Sequence, residues 1–227
     1  SYTDNLQRDE NDSWNHTVQL NGQTWTSRQT RLFFSEQFTR SLDRTVTTNT
    51  FEKHDTNTAS VGMVHNFGPK DSVGVNYRYS FDAYDNVNAN EHTEHQPSVS
   101  LAYWFSPRFG INLDGSYEKT DYDFSNNDPK TWSGSVRLLK SMNRHLDAYV
   151  AYAHTDTEQN SGDHTIYNPS VGFDWQPTED SGIRLGIGVL FQEWDQANAS
   201  DSTDLFLDLD AYKDFEIDRR THLSITS

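Results

Sequence analysis

Two imidazoles and two carboxylates fall within five residues at Glu91-His92-Thr93-Glu94-His95. Such groups are ligands for divalent transition metals. No helical pattern surrounds them to hold all four on one side, so the run reads as a polar loop and no metal site is assigned. His154, two residues before Asp156, offers an acid–base pair of the type hydrolases use. No nucleophile is placed beside it, so no catalytic residue is assigned. The chain reads as a non-enzyme without a cofactor. Nucleotide-loop and zinc-protease patterns are absent, and with no Cys there is no disulfide, thiolate ligand or Cys nucleophile.

A second group of charges lies at alternating positions. Arg78, Arg137 and Arg184 fall in phase with Asp114, Asp147, Asp174 and Asp208, and with Asn76 and Asn112. Side chains of this type in register line a hydrated pore and tune its selectivity. The competing arrangement is an interior closed by ion pairs. Further acids crowd four polar segments: Asp85, Glu91 and Glu94; Asp121, Asp123 and Asp128; Asp156, Glu158 and Asp163; Glu193, Asp195, Asp201 and Asp204. Lys70, Arg108, Lys140, Arg144, Arg219 and Arg220 sit near the short turns instead. One end of the molecule is therefore expected to be negative and to attract cations, with divalent ions at its carboxylates. With 34 acidic and 18 basic residues the formal charge is −16, which argues against a nucleic-acid partner, because phosphate contacts need clustered Lys and Arg.

These residues are positioned by strands. Period-two alternation marks a strand with two unlike faces. One face collects Val73, Val75, Tyr77, Tyr79 and Phe81; then Val99, Leu101, Tyr103 and Phe105; then Phe109, Ile111, Leu113 and Tyr117. The pattern recurs through Trp132–Leu138, Leu146–Tyr152, Tyr167–Trp175, Ile183–Phe191 and Leu205–Leu209. The facing positions are polar or small, apart from Trp104, Tyr149, Leu190 and Phe206. Short turns fall at 68–71, 106–108, 142–144, 179–181 and near 218–219, roughly every 36–38 residues, which is two strands plus a loop. Polar loops are expected at 84–96, 122–130, 156–164 and 194–202. Between residues 14 and 66 the expected strands are 14–20, 31–38, 46–51 and 59–67. The whole is about a dozen antiparallel strands in one domain, residues 1–227.

Alternating strands make either a soluble sandwich, with apolar faces meeting in a core, or a membrane barrel, with the apolar face in lipid and the polar face inside. Alternation of short turns with long acidic loops favours an up-and-down transmembrane β-barrel. So do two girdles of rings, Phe105, Phe109 and Trp175 near the turns and Tyr79, Phe81, Tyr117, Tyr152 and Tyr167 toward the loops. The low mean hydropathy, −0.87, is no objection, because only alternate residues of each strand need be apolar. Asn76, Arg78, Asn112, Asp114, Arg137, Asp147, Asp174, Arg184 and Asp208 are the expected pore lining. Both ends of the sequence resemble partial strands, so the barrel is expected to be incomplete at each end.

The stretches Phe38-Thr39-Arg40-Ser41-Leu42-Asp43, 67–73 (FGPKDSV), Leu101-Ala102-Tyr103-Trp104-Phe105, Arg144-His145-Leu146-Asp147 and Pro169-Ser170-Val171-Gly172-Phe173-Asp174 resemble the large porin-like outer-membrane barrels of Gram-negative bacteria. Some of those accompany exopolysaccharide secretion systems. The resemblance implies a bacterial outer-membrane location and a channel for solutes or polysaccharide. The implied partners are the lipid bilayer and lipopolysaccharide. A scaffold barrel holding a periplasmic or electron-transfer partner and a soluble carbohydrate-binding or adhesive repeat protein are the alternatives.

Overall fold

In a computed structural model the chain forms β-strands and no helix among the residues described, which are 2–3, 15–44, 51–84, 91–123, 128–160, 162–178, 180–195, 200–218 and 221–226. The strands are β1 (Tyr2–Thr3), β2 (Asn15–Trp25), β3 (Thr30–Arg44), β4 (Phe51–Asn66), β5 (Ser72–Tyr84), β6 (His92–Ser106) and β7 (Phe109–Tyr122). They continue as β8 (Lys130–Asn143), β9 (Leu146–Glu158), β10 (His164–Thr178), β11 (Ser181–Trp194), β12 (Ser202–Asp218) and β13 (Thr221–Thr226). Each pairs with its neighbours in sequence, giving one antiparallel sheet of 13 strands in the order β1 to β13. No ladder joins β13 back to β1 among the described residues.

The hairpins are set by small polar residues at the short turns. Ser106 Oγ accepts from the backbone N–H of Arg108 and of Phe109 (3.4 and 3.1 Å). Asn143 Oδ1 accepts from His145 N–H (2.8 Å). Such side chains satisfy turn amides that the ladder leaves free. Asp71 reaches further: its Oδ1 accepts from Trp104 N–H (2.7 Å), tying the β4–β5 turn to β6.

At the other end the strands run further than the sequence pattern indicates. β6 begins at His92, so His92–His95 is strand and not loop. The connections shrink to residues 85–91, 123–129, 159–163 and 195–201. Three loop aspartates hold strand ends. Asp128 accepts from Tyr122 N–H (2.9 Å), Asp163 from Gln159 N–H (2.9 Å) and Asp201 from Trp194 N–H (3.1 Å). Gly162 completes the tightest of these loops at φ 128°, a backbone conformation that side-chain-bearing residues avoid. Nearer the start, β2, β3 and β4 run longer than expected. The expected strand at 46–51 lies almost wholly outside the described residues. So do Asp85, Arg219 and Arg220.

The sheet has no dry centre. Among the described residues Leu139 and Tyr149 are the buried hydrophobics, and no side chain is fully buried. Val75, Val99, Trp132, Val150, Val171, Ile187 and Leu205 are all exposed, Leu205 at 80%. A soluble sandwich would have paired this apolar side with a second sheet.

Candidate functional site: the polar face

Registers place the candidate polar residues on one side of the sheet. Gly74, Ser100, Asp114, Ser135 and Ala153 are successive cross-strand partners from β5 to β9. One step toward the long loops, Asn76, Ser98, Ser116, Ser133 and Thr155 make a parallel row. One step toward the short turns, Asn112 pairs with Arg137 and Arg137 with Ala151. The middle of this face is therefore made of short hydroxyl, amide and methyl side chains with one carboxylate, Asp114. A hollow of about 320 Å³ lies against it, bounded by Asn112, Asp114, Arg137, Tyr149, Asn168 and Asp208 among others.

Below this small-residue zone lies a charged row. Asp147 is opposite Asp174, Asp174 opposite Arg184, and Arg184 opposite Asp210. Arg184 Nε donates to Asp174 Oδ1 at 2.7 Å. Ser141 donates to Asp147. The guanidinium of Arg137 lies 4.5 Å from the centre of the Tyr149 ring. From β7 to β12 the carboxylates Asp114, Asp147, Asp174, Asp208 and Asp210 outnumber the cations Arg137 and Arg184, whereas toward β3 and β6 the same face carries Arg31 over the Phe33 ring and Lys70 over the Trp104 ring.

Toward the long loops the pattern is paired rather than open. Arg78 and Glu94 form an ion pair across β5 and β6. Gln96 Nε2 donates to Glu118 (2.9 Å). Asp82 lies between two imidazoles, with His54 Nε2 at 3.4 Å and His92 Nε2 at 3.6 Å. The His54 ring stacks on Tyr84. Because His92 and His95 lie on one strand at odd separation, they face opposite sides, and the run 91–95 does not converge. Among the described residues no three His, Asp or Glu side chains are grouped to hold a metal ion. On the opposite face His154 rests against Tyr167, with ring centres 5.1 Å apart, and Asp156 accepts from Thr165 (3.0 Å).

The large rings on this face have a common geometry. Tyr149 pairs with Gly172, Phe206 with Gly188, Trp104 with Gly110 and Phe33 with Gly62. Each ring lies over the glycine of the neighbouring strand. A Cβ on Gly110 would stand 2.8 Å from the Trp104 ring. Rings that break the polar alternation are therefore accommodated by missing side chains opposite. The signal was present in the sequence as glycines at partner positions, but it is visible only once the register is known. Asp210, Glu94, Glu118 and Gln96 also belong to this face, as their cross-strand partners Arg184, Ser80, Thr131 and Arg78 show.

The opposite face carries the candidate girdle residues. Phe105 and Phe109 stack with centres 6.3 Å apart, close to the short turns. Tyr117 meets Trp132 at 4.3 Å, and Tyr79 meets Phe81 at 6.3 Å, both toward the long loops. Tyr152 and Trp175 are exposed on the same side.

No family model and no curated protein matches the chain. Solved structures do. The outer membrane channel DcaP of Acinetobacter baumannii superposes with a TM-score of 0.61 at 13% identity, covering 99% of this chain and 67% of that one. The fold is that of an outer-membrane β-barrel. The ferric-catecholate import receptor Fiu from K12 E. coli superposes with a TM-score of 0.56 at 8% identity, over 94% of this chain and 48% of the receptor. This chain thus spans about two thirds of the channel and about half of the receptor. In barrels of this fold the polar side is the inner face of the wall and the apolar side its outer face.

Proposed function

We propose that this chain forms the wall of an outer-membrane channel for small hydrophilic solutes, with a preference for cations. The observation that carries the reading is the pairing of two unlike faces on one sheet. Exposed aliphatic and aromatic side chains cover the outer side, and serine, asparagine and an excess of carboxylates cover the inner. The likeness to a channel supports passage, and the likeness to a receptor shows that the fold also serves other ends. In this reading the lipid bilayer meets Val99, Val150 and Ile187. The short turns lie in the periplasm, and the long acidic loops face outward.

Phe109 and Tyr117 mark the two ring levels on β7, eight residues apart. At about 3.4 Å per residue and a tilt of about 40°, that is roughly 21 Å along the membrane normal. The apolar band of such barrels is about 25 Å tall, and β7 runs on past Tyr117 to Tyr122, so one strand suffices to cross it. Cation preference follows from Asp114, Asp147, Asp174, Asp208 and Asp210 outnumbering Arg137 and Arg184.

Planar-bilayer recording of the refolded chain tests the proposal. Conductance with a cation-directed reversal potential in a salt gradient is expected. A folded, inserted chain that never conducts would overturn it in favour of a scaffold barrel. Export of a polysaccharide is a second reading, supported by the hydroxyl-rich middle rows. Liposome swelling with sugars of increasing length separates it from passage of small solutes.

A further inference from the structure

We propose that the outer face of β6–β8 carries a binding site for the phosphate groups of lipopolysaccharide, built from Lys119, Lys130 and His95. This inference rests on the envelope reading above and adds a defined lipid site to it.

His95 is the direct cross-strand partner of Lys119, and Lys119 of Lys130. The three side chains therefore stand side by side on consecutive strands. They share the outer face with Tyr117 and Trp132, each lysine lying two residues beyond one of those rings toward the long loops. They are thus one step above the tilted Tyr117–Trp132 ring pair, at the level where hydrocarbon gives way to headgroups. Tyr77 adds a further amphipathic group, its hydroxyl 2.6 Å from His95 Nδ1.

Like charges placed directly opposite one another in an antiparallel pair repel. Lys119 and Lys130 are such a pair, in a chain whose net charge is −16. Neighbouring acids answer part of this charge. Asp121 lies 2.5 Å from Lys119 Nζ, and Glu158 is the cross-strand partner of Lys130 on its far side. Asp128, which accepts from the Tyr122 amide, adds a weaker attraction to Lys119, and Asp156 accepts from Thr165. An ammonium has three donors, so one carboxylate on Lys119 leaves donors for a second anion. A phosphate between the two lysines would relieve their repulsion through charge-assisted hydrogen bonds.

The position selects the source of the phosphate. These groups face lipid rather than the lumen, at the end of the wall that carries the long loops. The anion presented there is the phosphorylated headgroup of the outer-leaflet glycolipid. Free phosphate in bulk water would be the weaker competitor.

The test uses the full chain refolded in detergent, with lipopolysaccharide retention read by native mass spectrometry. The variants are Lys119→Glu with Lys130→Glu, the milder Lys119→Gln with Lys130→Gln, and Lys140→Glu. Lys140 lies on the same face at the short-turn end, over the Phe109 ring at 5.6 Å, and controls for a general change of charge. Retention should fall about five-fold for each lysine neutralised at low salt, and dephosphorylated lipopolysaccharide should bind the unaltered chain as weakly as the double variant binds the native lipid. Lys140→Glu should retain it fully. Undiminished retention in the Gln pair, equal loss in Lys140→Glu, or complete displacement by millimolar inorganic phosphate would each overturn the site. Heat-dependent gel mobility reports barrel formation separately. If the unaltered chain fails to insert into any lipid, the envelope reading falls and this site with it, whereas loss confined to lipid retention fails the site alone.

Discussion

The ring of Tyr149 on β9 lies across Gly172 on β10, and its hydroxyl reaches the next strand, 2.6 Å from where a Cβ on Gly186 would stand. One side chain therefore spans three strands. The arrangement buries Tyr149 to 5% exposure on the mainly polar face. Arg137 covers its ring, which explains how an aromatic residue is kept against the wall at the water-facing side.

Filling either glycine should displace Tyr149. Gly172→Val is expected to lower the stability of the folded chain by about 1–3 kcal/mol, the usual cost of overpacking. Gly134→Val is expected to cost less, because its Cβ would meet nothing nearer than 3.8 Å. Urea titration in detergent micelles, followed by tryptophan emission, measures the difference.

A positive charge should discriminate the two sides of the sheet. Val150→Arg places a guanidinium on the outer face at mid-strand and is expected to cost about 2–4 kcal/mol in a bilayer. Ser133→Arg, on the inner face, should fold with near-native stability. Equal penalties, read by unfolding in lipid vesicles, would show that the outer face does not meet hydrocarbon.

Tryptophans report the same division without changing charge. Trp132 and Trp175 are outward, whereas Trp104 and Trp194 are on the polar side. In single-tryptophan variants, brominated lipid should quench the first two strongly and the second two weakly. Equal quenching of Trp104 and Trp132 would contradict the assigned faces.

Ion preference should follow the lower inner row. Arg184→Ala removes the partner of Asp174 and should raise the cation-to-anion permeability ratio. Asp174→Asn should lower it. The pair is partly exposed, so its coupling is below about 1 kcal/mol and each shift should be about two-fold. Reversal potentials in a salt gradient provide the measurement.

Much of this fold is legible in the chain itself. The sequence alternation alone separates Val99, Leu113 and Val150 from Ser100, Asp114 and Tyr149, because strand geometry leaves each residue only two directions. The short turns are equally plain, since Ser106, Asn143 and the Gly68-Pro69 pair each favour a bend. The upper connections were less legible. His92–His95 and Asp121 have the composition of loop, yet they continue the ladder, because antiparallel partners supply the hydrogen bonds whatever the side chains are. The roles of Asp128, Asp163 and Asp201 were hidden for a related reason. A carboxylate that accepts from a strand-end amide looks, in the sequence, like one left to solvent. The inner rings were visible only as exceptions, since their explanation lies in glycines on another strand.

The nearest-neighbour order of the strands has a consequence for how such a wall changes size. Among the described residues no pairing spans more than one connection, so each hairpin is a panel in a fence. A panel inserted or lost alters the girth, and with it the bore, while every remaining seam keeps its stitching. Width in this architecture is set by how many times a unit of sequence is copied, and the chemistry facing the opening can be revised one panel at a time.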